Sequence, residues 1–131
     1  MNVIMLLKNK EHVAYLTDTD TVAFGLNKMR EHKYSAIPVL TQSGHYAGCI
    51  SEGDFLWSIA DMSNEEKEKL NRITIREIMR SNFNPPARIS ITMEELLKLS
   101  MNQNFIPIVD DRNFFIGIVT RQDIIGAFVN K

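Results

Sequence analysis

Two apolar runs decide the fold: Ala36-Ile37-Pro38-Val39-Leu40 and, after a polar turn, Tyr46-Ala47-Gly48-Cys49-Ile50-Ser51-Glu52-Gly53-Asp54. They recur as Phe105-Ile106-Pro107-Ile108-Val109 and Phe115-Ile116-Gly117-Ile118-Val119-Thr120-Arg121-Gln122-Asp123. The copies stand 69 residues apart without a gap, so Pro38 falls on Pro107, Gly48 on Gly117, Ser51 on Thr120 and Asp54 on Asp123. Self-similarity of this extent marks a duplicated supersecondary unit. In each copy two short apolar strands flank a polar turn, the pattern of a hairpin.

Upstream of the first hairpin, Val13-Ala14-Tyr15-Leu16 reads as a buried strand and Thr17 to Thr21 as a polar corner rich in helix-starting side chains. Val22, Leu26 and Met29, with a notch at Gly25, predict a helix face running to about Lys33. A further helix begins at about Glu52 and carries Phe55, Leu56 and Ile59. In the second copy Pro85-Pro86-Ala87-Arg88-Ile89 takes the place of the first strand, and the helix with Leu96, Leu97 and Leu99 opens at Thr92-Met93-Glu94-Glu95. That Ser/Thr to Glu spacing is a capping box, and it recurs at Ser63 to Glu66, opening a connecting helix, and at Thr74 to Glu77. The repeated unit is β-α-β-β-α and the class α+β. Residues 1–60 form the first repeat with a short helix-like lead-in, 61–73 the linker and 74–131 the second repeat. Each half alone is marginal in size, so residues 1–131 are read as a single module with a shared core.

Composition narrows the function. A net charge of −1 over 131 residues, with no basic block, lacks the electrostatic footprint of a nucleic-acid binder. The apolar start, Met1 to Leu7, is too short to span a bilayer, and a single cysteine makes no internal disulfide, so the expectation is a cytoplasmic protein without a membrane partner. His12, His32 and His45 stand without a Cys, Asp or second His at ligand spacing, and Cys49 sits between Gly48 and Ile50 with no base nearby. No metal, no cofactor and no catalytic residue is expected.

The motif Gly-x-x-Ser/Thr-x-x-Asp, at Gly48-Ser51-Asp54 and Gly117-Thr120-Asp123, puts a hydroxyl at a strand end and a carboxylate one turn into a helix. It has two readings. A hydroxyl N-cap with an acid three residues on can simply finish a helix. Alternatively, the glycine leaves room beside the strand and the helix N–H groups face an anion.

With the Ile-Pro-Val/Ile strand, the apolar hairpin and this motif in both copies, the chain resembles a cystathionine-β-synthase (CBS) domain pair, a stand-alone Bateman module. The resemblance covers all but about the first dozen residues. It implies two CBS repeats packed as a pseudo-two-fold pair, with adenine nucleotides bound in grooves between them. In that arrangement the carboxylate takes ribose hydroxyls, the hydroxyl and helix N-terminus take phosphate, and apolar strand edges take adenine. One site would then contain Asp123, Thr120, Arg121 and Ile118 facing Asn9, Ala14, Tyr34, Ser35 and Ala36. The other would contain Asp54, Ser51 and Cys49 with Pro85, Pro86, Asn104 and Phe105.

The two sites differ in chemistry. Arg121 offers phosphate a permanent cation where Glu52 brings a like charge, and Ala36 leaves space for a base where Phe105 fills it. Pro85 and Pro86 also remove backbone donors that Ala14 and Tyr15 keep. The Asp123 site is therefore expected to be the principal one and the Asp54 site weaker. The expected function is a regulatory sensor of AMP, ADP or ATP, not an enzyme. The alternatives are a cyclic di-AMP-binding signalling protein, which the layout also resembles, and a ligand-free scaffold that docks an effector protein. Apolar helix positions at Phe55, Leu56, Trp57, Ile124, Ile125 and Phe128 add the expectation of a homodimer.

Overall fold

A computed structural model describes residues 2–80 and 83–130. In chain order the elements are α1 (Val3–Leu6), β1 (Lys8–Asn9), a 3-10 turn (Lys10–His12), β2 (Leu16–Thr17), α2 (Val22–His32), β3 (Ala36–Leu40), β4 (Tyr46–Ser51) and α3 (Glu52–Ala60). They continue as α4 (Asn64–Lys67), α5 (Ile75–Ile78), β5 (Ala87–Arg88), α6 (Met93–Ser100), β6 (Phe105–Val109), β7 (Phe115–Thr120) and α7 (Arg121–Val129). The β-α-β-β-α order thus occurs twice, as β2-α2-β3-β4-α3 and β5-α6-β6-β7-α7.

The chain divides into two compact units, residues 14–83 and residues 2–13 with 84–130. In residues 14–83 the sheet order is β2-β3-β4, with β2 parallel to β3 and β3 antiparallel to β4. Its inward face and helices bury Leu16, Val22, Met29, Ile37, Val39, Ile50, Phe55 and Ile75. Gly25 lies in that core with Ile75, Leu16 and Phe55 against it, so the notch in the helix pattern is a packing requirement. Thr21 caps α2 by accepting from the Phe24 N–H at 3.1 Å, and Lys33 ends it in the left-handed conformation.

Residues 84–130 build the same hairpin and helices, with β5 parallel to β6 and β6 antiparallel to β7. A fourth strand comes from the lead-in: β1 pairs antiparallel with β7, Lys8 opposite Ile118 and Asn9 opposite Gly117. Val3 of α1 is buried in this core with Ala87, Leu96, Ile106, Ile108, Val119 and Ile124. Residues 14–83 use α5 equivalently. Ile75 fills their core and Arg80 bridges antiparallel to Cys49, the residue matching Ile118. Each hairpin therefore receives a short helix and an edge contact, a two-residue strand on β7 and a single bridge on β4, from a segment other than its own first strand. The segment Val13 to Leu16, expected as a strand, is mostly connector: only Leu16 and Thr17 pair, because the chain passes from one unit to the other at residue 14.

Capping follows the sequence closely. Ser63 with Glu66 and Thr74 with Glu77 form reciprocal boxes, whereas Glu95 returns only to the Thr92 hydroxyl, at 3.1 Å. The Thr74 N–H, donating at 2.6 Å, and then its hydroxyl hold the Glu77 carboxyl below its ordinary range. That contribution is present above the ordinary carboxylate range and fades as pH falls through the lowered value. Burial, and then Cys49, push the Tyr46 phenol upward. Gly126 is interior to α7, and a Cβ there meets nothing within 4 Å. Gly126→Ala is expected to raise stability by about 0.5–1 kcal/mol, read as a higher denaturant midpoint at unchanged slope.

Candidate functional site

The two motif helices share a backbone and differ in what their aspartates do. Thr120 caps α7, its hydroxyl accepting from the Asp123 N–H at 3.2 Å. The Asp123 carboxylate makes no return bond, and among the described residues it has neither a hydrogen bond nor an ion pair. Asp54 is fully engaged. Its Oδ2 accepts from the Ser51 N–H at 2.8 Å and from the Ser51 hydroxyl at 3.0 Å, and the Asp54 N–H donates back to that hydroxyl at 3.2 Å. Its Oδ1 accepts from Arg80 Nε at 2.7 Å, and the Arg80 guanidinium lies 4.0 Å over the Phe83 ring. Only 8% of Asp54 is exposed. The helix-finishing reading describes Asp54, whereas Asp123 is half-buried with its acceptors unused.

Around Asp123, Ile118 is half-buried on β7 between Lys8 of β1 and Pro107 of β6. Asn9, its β1 neighbour, is exposed. Arg121 opens α7 with its N–H on the Asn104 carbonyl at 2.8 Å, and its Nε donates to the Ser100 carbonyl at the end of α6, at 2.6 Å. That bond removes the Nε edge from any fork on phosphate and leaves the two Nη groups without a hydrogen bond among the described residues. Asn104 is exposed, Phe105 half-buried, and Pro85 and Pro86 exposed.

The remaining expected contacts belong to residues 14–83. Ala14 is half-buried beside Tyr15, whose carbonyl accepts from Lys28 Nζ at 2.6 Å. Tyr34 is exposed and stacks on His32, centroids 5.6 Å apart at 13°. Ser35 is exposed with its carbonyl taken by the Glu52 N–H at 2.9 Å, and Ala36 is half-buried at the start of β3. Cys49 is fully buried and donates its thiol to the Ile37 carbonyl at 3.0 Å. His12 and His32 are exposed and His45 half-buried, and no group of three His, Cys, Asp or Glu side chains among the described residues could hold a metal.

The motif glycines have a cause that the motif alone does not show. A Cβ on Gly117 would collide with the Lys8 carbonyl oxygen, and one on Gly48 with the Met79 side chain. The room beside each strand is thus taken by the chain's own edge segment, not held open for a flat ligand. Arg80 is the other residue that sequence reasoning passed over. Its signal was present: Val3 and Ile75, and Lys8 and Arg80, are each 72 residues apart, so the repeat extends into both edge segments.

Comparison with known proteins agrees with this architecture. Cyclic di-AMP receptor B of Bacillus subtilis is 28% identical over 115 residues, covering 88% of this chain and 78% of that protein. An uncharacterised protein of Methanocaldococcus jannaschii is 26% identical, covering 96% of this chain and 92% of its own. The crystal structure of Listeria monocytogenes CbpB in complex with c-di-AMP has a TM-score of 0.85 at 24% identity, covering 98% of this chain and 95% of that one, a likeness of fold. The CBS domain is matched twice, at residues 9–61 and 75–130, over the two β-α-β-β-α repeats and most of the chain, and this protein therefore belongs to the CBS domain family.

Proposed function

We propose that this protein is a regulatory sensor that binds an adenine nucleotide, with Asp123 as the acceptor for sugar hydroxyls. One observation carries the reading: of two matched aspartates, Asp54 is consumed by its own helix and Arg80, while Asp123 keeps both oxygens for a ligand. A carboxylate one turn into a helix capped by a hydroxyl suits a ribose diol, and the adjacent helix N–H groups suit phosphate. Thr120 and the Nη groups of Arg121 are the phosphate contacts in this reading, Ile118 an apolar wall for the base, and Asn9 a polar contact from β1. Ser51 and Asp54, tied to one another, make the matching position in residues 14–83 the weaker one.

AMP, ADP and ATP carry free 2′ and 3′ hydroxyls that one carboxylate accepts together, and they are the favoured ligands. Cyclic di-AMP is the second reading, favoured by the Bacillus subtilis receptor, although its 3′ oxygens are esterified and leave Asp123 a single hydroxyl per sugar. The output is read by an effector protein or by a homodimer of the module, in the cytoplasm, without turnover of the nucleotide. Among the described residues no helix is long and apolar enough to cross a membrane.

A thermal-shift and calorimetric panel of AMP, ADP, ATP, cyclic di-AMP and cyclic di-GMP tests the proposal. A ligand at a hundred times its dissociation constant adds about 2.7 kcal/mol to stability, an obvious shift. The expected result is stabilisation by adenine nucleotides that are recovered chemically unchanged. Silence toward every nucleotide overturns the sensor reading in favour of a protein-docking scaffold.

A further inference from the structure

Residues 3–9 precede the first repeat yet pack with residues 84–130, and residues 75–80 precede the second yet pack with residues 14–83. The chain could close the other way, each segment on the repeat that follows it, because the two segments are copies of one another. Both short helices open at a polar cap, Asn2 and Thr74, and at the same 72-residue spacing Leu7 matches Met79 and Lys8 matches Arg80.

Two complementarities separate the arrangements. One is of shape. Ile75 Cδ1 lies 2.7 Å from where a Cβ on Gly25 would stand, so this methyl fills the notch in α2. The residue matching Gly25 is Leu96, fully buried, and it shares its core with Val3, the match of Ile75 that lacks the methyl. Closed the other way, Ile75 would crowd Leu96 and Val3 would leave the notch empty, an overpacked core beside an underfilled one.

The second is of charge. Asp18 is only 5% exposed, and its Oδ2 accepts from Arg76 Nε at 3.2 Å and Nη2 at 2.8 Å. Its Oδ1 is buried with no hydrogen-bond partner among the described residues, so Arg76 is the cation on which this carboxylate depends. Both matched positions are apolar. Ile89 donates its N–H to the Val109 carbonyl as Asp18 does to that of Leu40, and Ile4 takes the place of Arg76 in α1. With residues 3–9 on its repeat, Asp18 would be buried without a counter-charge, which is strongly unfavourable; buried ion pairs are best attested in fixing such a choice of partner.

We propose that these two keys, Ile75 in the Gly25 notch and Arg76 on Asp18, assign each edge segment to its repeat and so decide which motif aspartate stays free. Closed the other way, Arg80 would stand at Asp123 as it now stands at Asp54. The assignment itself is independent of the nucleotide reading, and only its effect on ligand binding rests on that reading.

The natural cysteine supplies the test. Cys49 matches Ile118, the residue opposite Lys8, so the thiol of a Lys8→Cys chain faces Cys49 only when residues 3–9 lie on residues 14–83. Directly opposed strand residues stand within disulfide range. Lys8→Cys with Ile118→Cys and Cys49→Ala, oxidised with glutathione disulfide, gives the yield of a correctly opposed pair. Lys8→Cys alone is expected to form no disulfide between positions 8 and 49. Adding Val3→Ile, Ile4→Arg, Ile75→Val and Arg76→Ile gives each segment the other's key. That protein is expected to form the intrachain 8–49 disulfide, read by peptide mass mapping, at more than about ten times the control yield, since one stranded buried charge already shifts the equilibrium so far. Ile4→Arg with Arg76→Ile, at two exposed positions where folding is not at risk, should give an intermediate yield. Key-exchanged chains that are folded by circular dichroism and form no more of this disulfide than Lys8→Cys alone overturn the proposal, as does a high yield in Lys8→Cys alone. Without the cysteine, the four changes are expected to weaken AMP binding at least about tenfold, because Arg80 then takes Asp123. Cross-linking with AMP affinity retained supports the assignment and removes Asp123 from the ligand site.

Discussion

Asp123→Ala is expected to weaken AMP binding by ten- to a hundredfold and to leave the thermal midpoint of the free protein nearly unchanged. Hydrogen bonds to a charged acceptor contribute roughly 1.5–3 kcal/mol, and each 1.4 kcal/mol is tenfold in affinity. The folded chain makes no internal use of this carboxylate among the described residues, so its removal leaves no donor stranded. The matched change must behave in the opposite way. Asp54→Ala removes a reciprocal cap and the acceptor of the Arg80 Nε–H, and should lower stability by about 1–3 kcal/mol while changing AMP affinity little. Calorimetry with AMP and denaturant melts of both variants check the pair. Equal AMP affinity in the Asp123→Ala variant and the wild type would remove Asp123 from the site.

Gly117→Ala carries the largest expected loss of stability. The added methyl would meet the Lys8 carbonyl oxygen and the Leu7 side chain, and the residue sits at φ +155°, a conformation that alanine rarely adopts. Backbone cannot turn aside as a side chain does, so β1 must leave β7 or the hairpin must distort. Overpacking and backbone strain together make the cost about 3 kcal/mol or more. Gly48→Ala shares the backbone conformation, at φ +153°, but meets the flexible end of Met79, so it should cost distinctly less. Urea titrations rank the two, and faster amide exchange of Lys8 and Asn9 in Gly117→Ala would locate the damage in the lead-in. A Gly117→Ala protein as stable as the wild type, with those amides still protected, would disprove the close approach.

Much of this architecture was legible because period-2 and period-3.6 patterns are local properties of a stretch of chain. The hairpins, the capped starts of α2 to α6 and the order β-α-β-β-α follow from them. Pairing across long separations was not. Lys8-Asn9 is two residues of strand, polar and exposed, and neither period marks it as the edge partner of Ile118 and Gly117; the 72-residue spacing shared with Arg80 tells that the segment repeats, not what it pairs with. The same limit applies to the motif. Ser51-x-x-Asp54 and Thr120-x-x-Asp123 are equivalent as strings, and what separates them is Arg80, 26 residues beyond Asp54 in the chain yet 2.7 Å from its Oδ1. Glu52 and Arg121 were read as a contrast in phosphate affinity. In the folded chain Arg121 also spends its Nε on the end of α6, so the exchange adds a bridge between two helices as well as changing a charge.

The exchanged edge segments also set an order of assembly. Every core residue of residues 14–83, from Leu16 to Ile75, lies in one unbroken stretch, so that unit closes as soon as α5 has been made. Its companion is discontinuous: Val3, Leu6 and Leu7 have no sheet to lie on until β7 emerges more than a hundred residues later. Contacts of such separation form late, because the intervening chain must be closed before they return any stabilisation. A growing chain therefore carries these apolar side chains without their sheet while more than a hundred further residues are made, and the ribosome delivers a finished half well before the other has the strand that completes it.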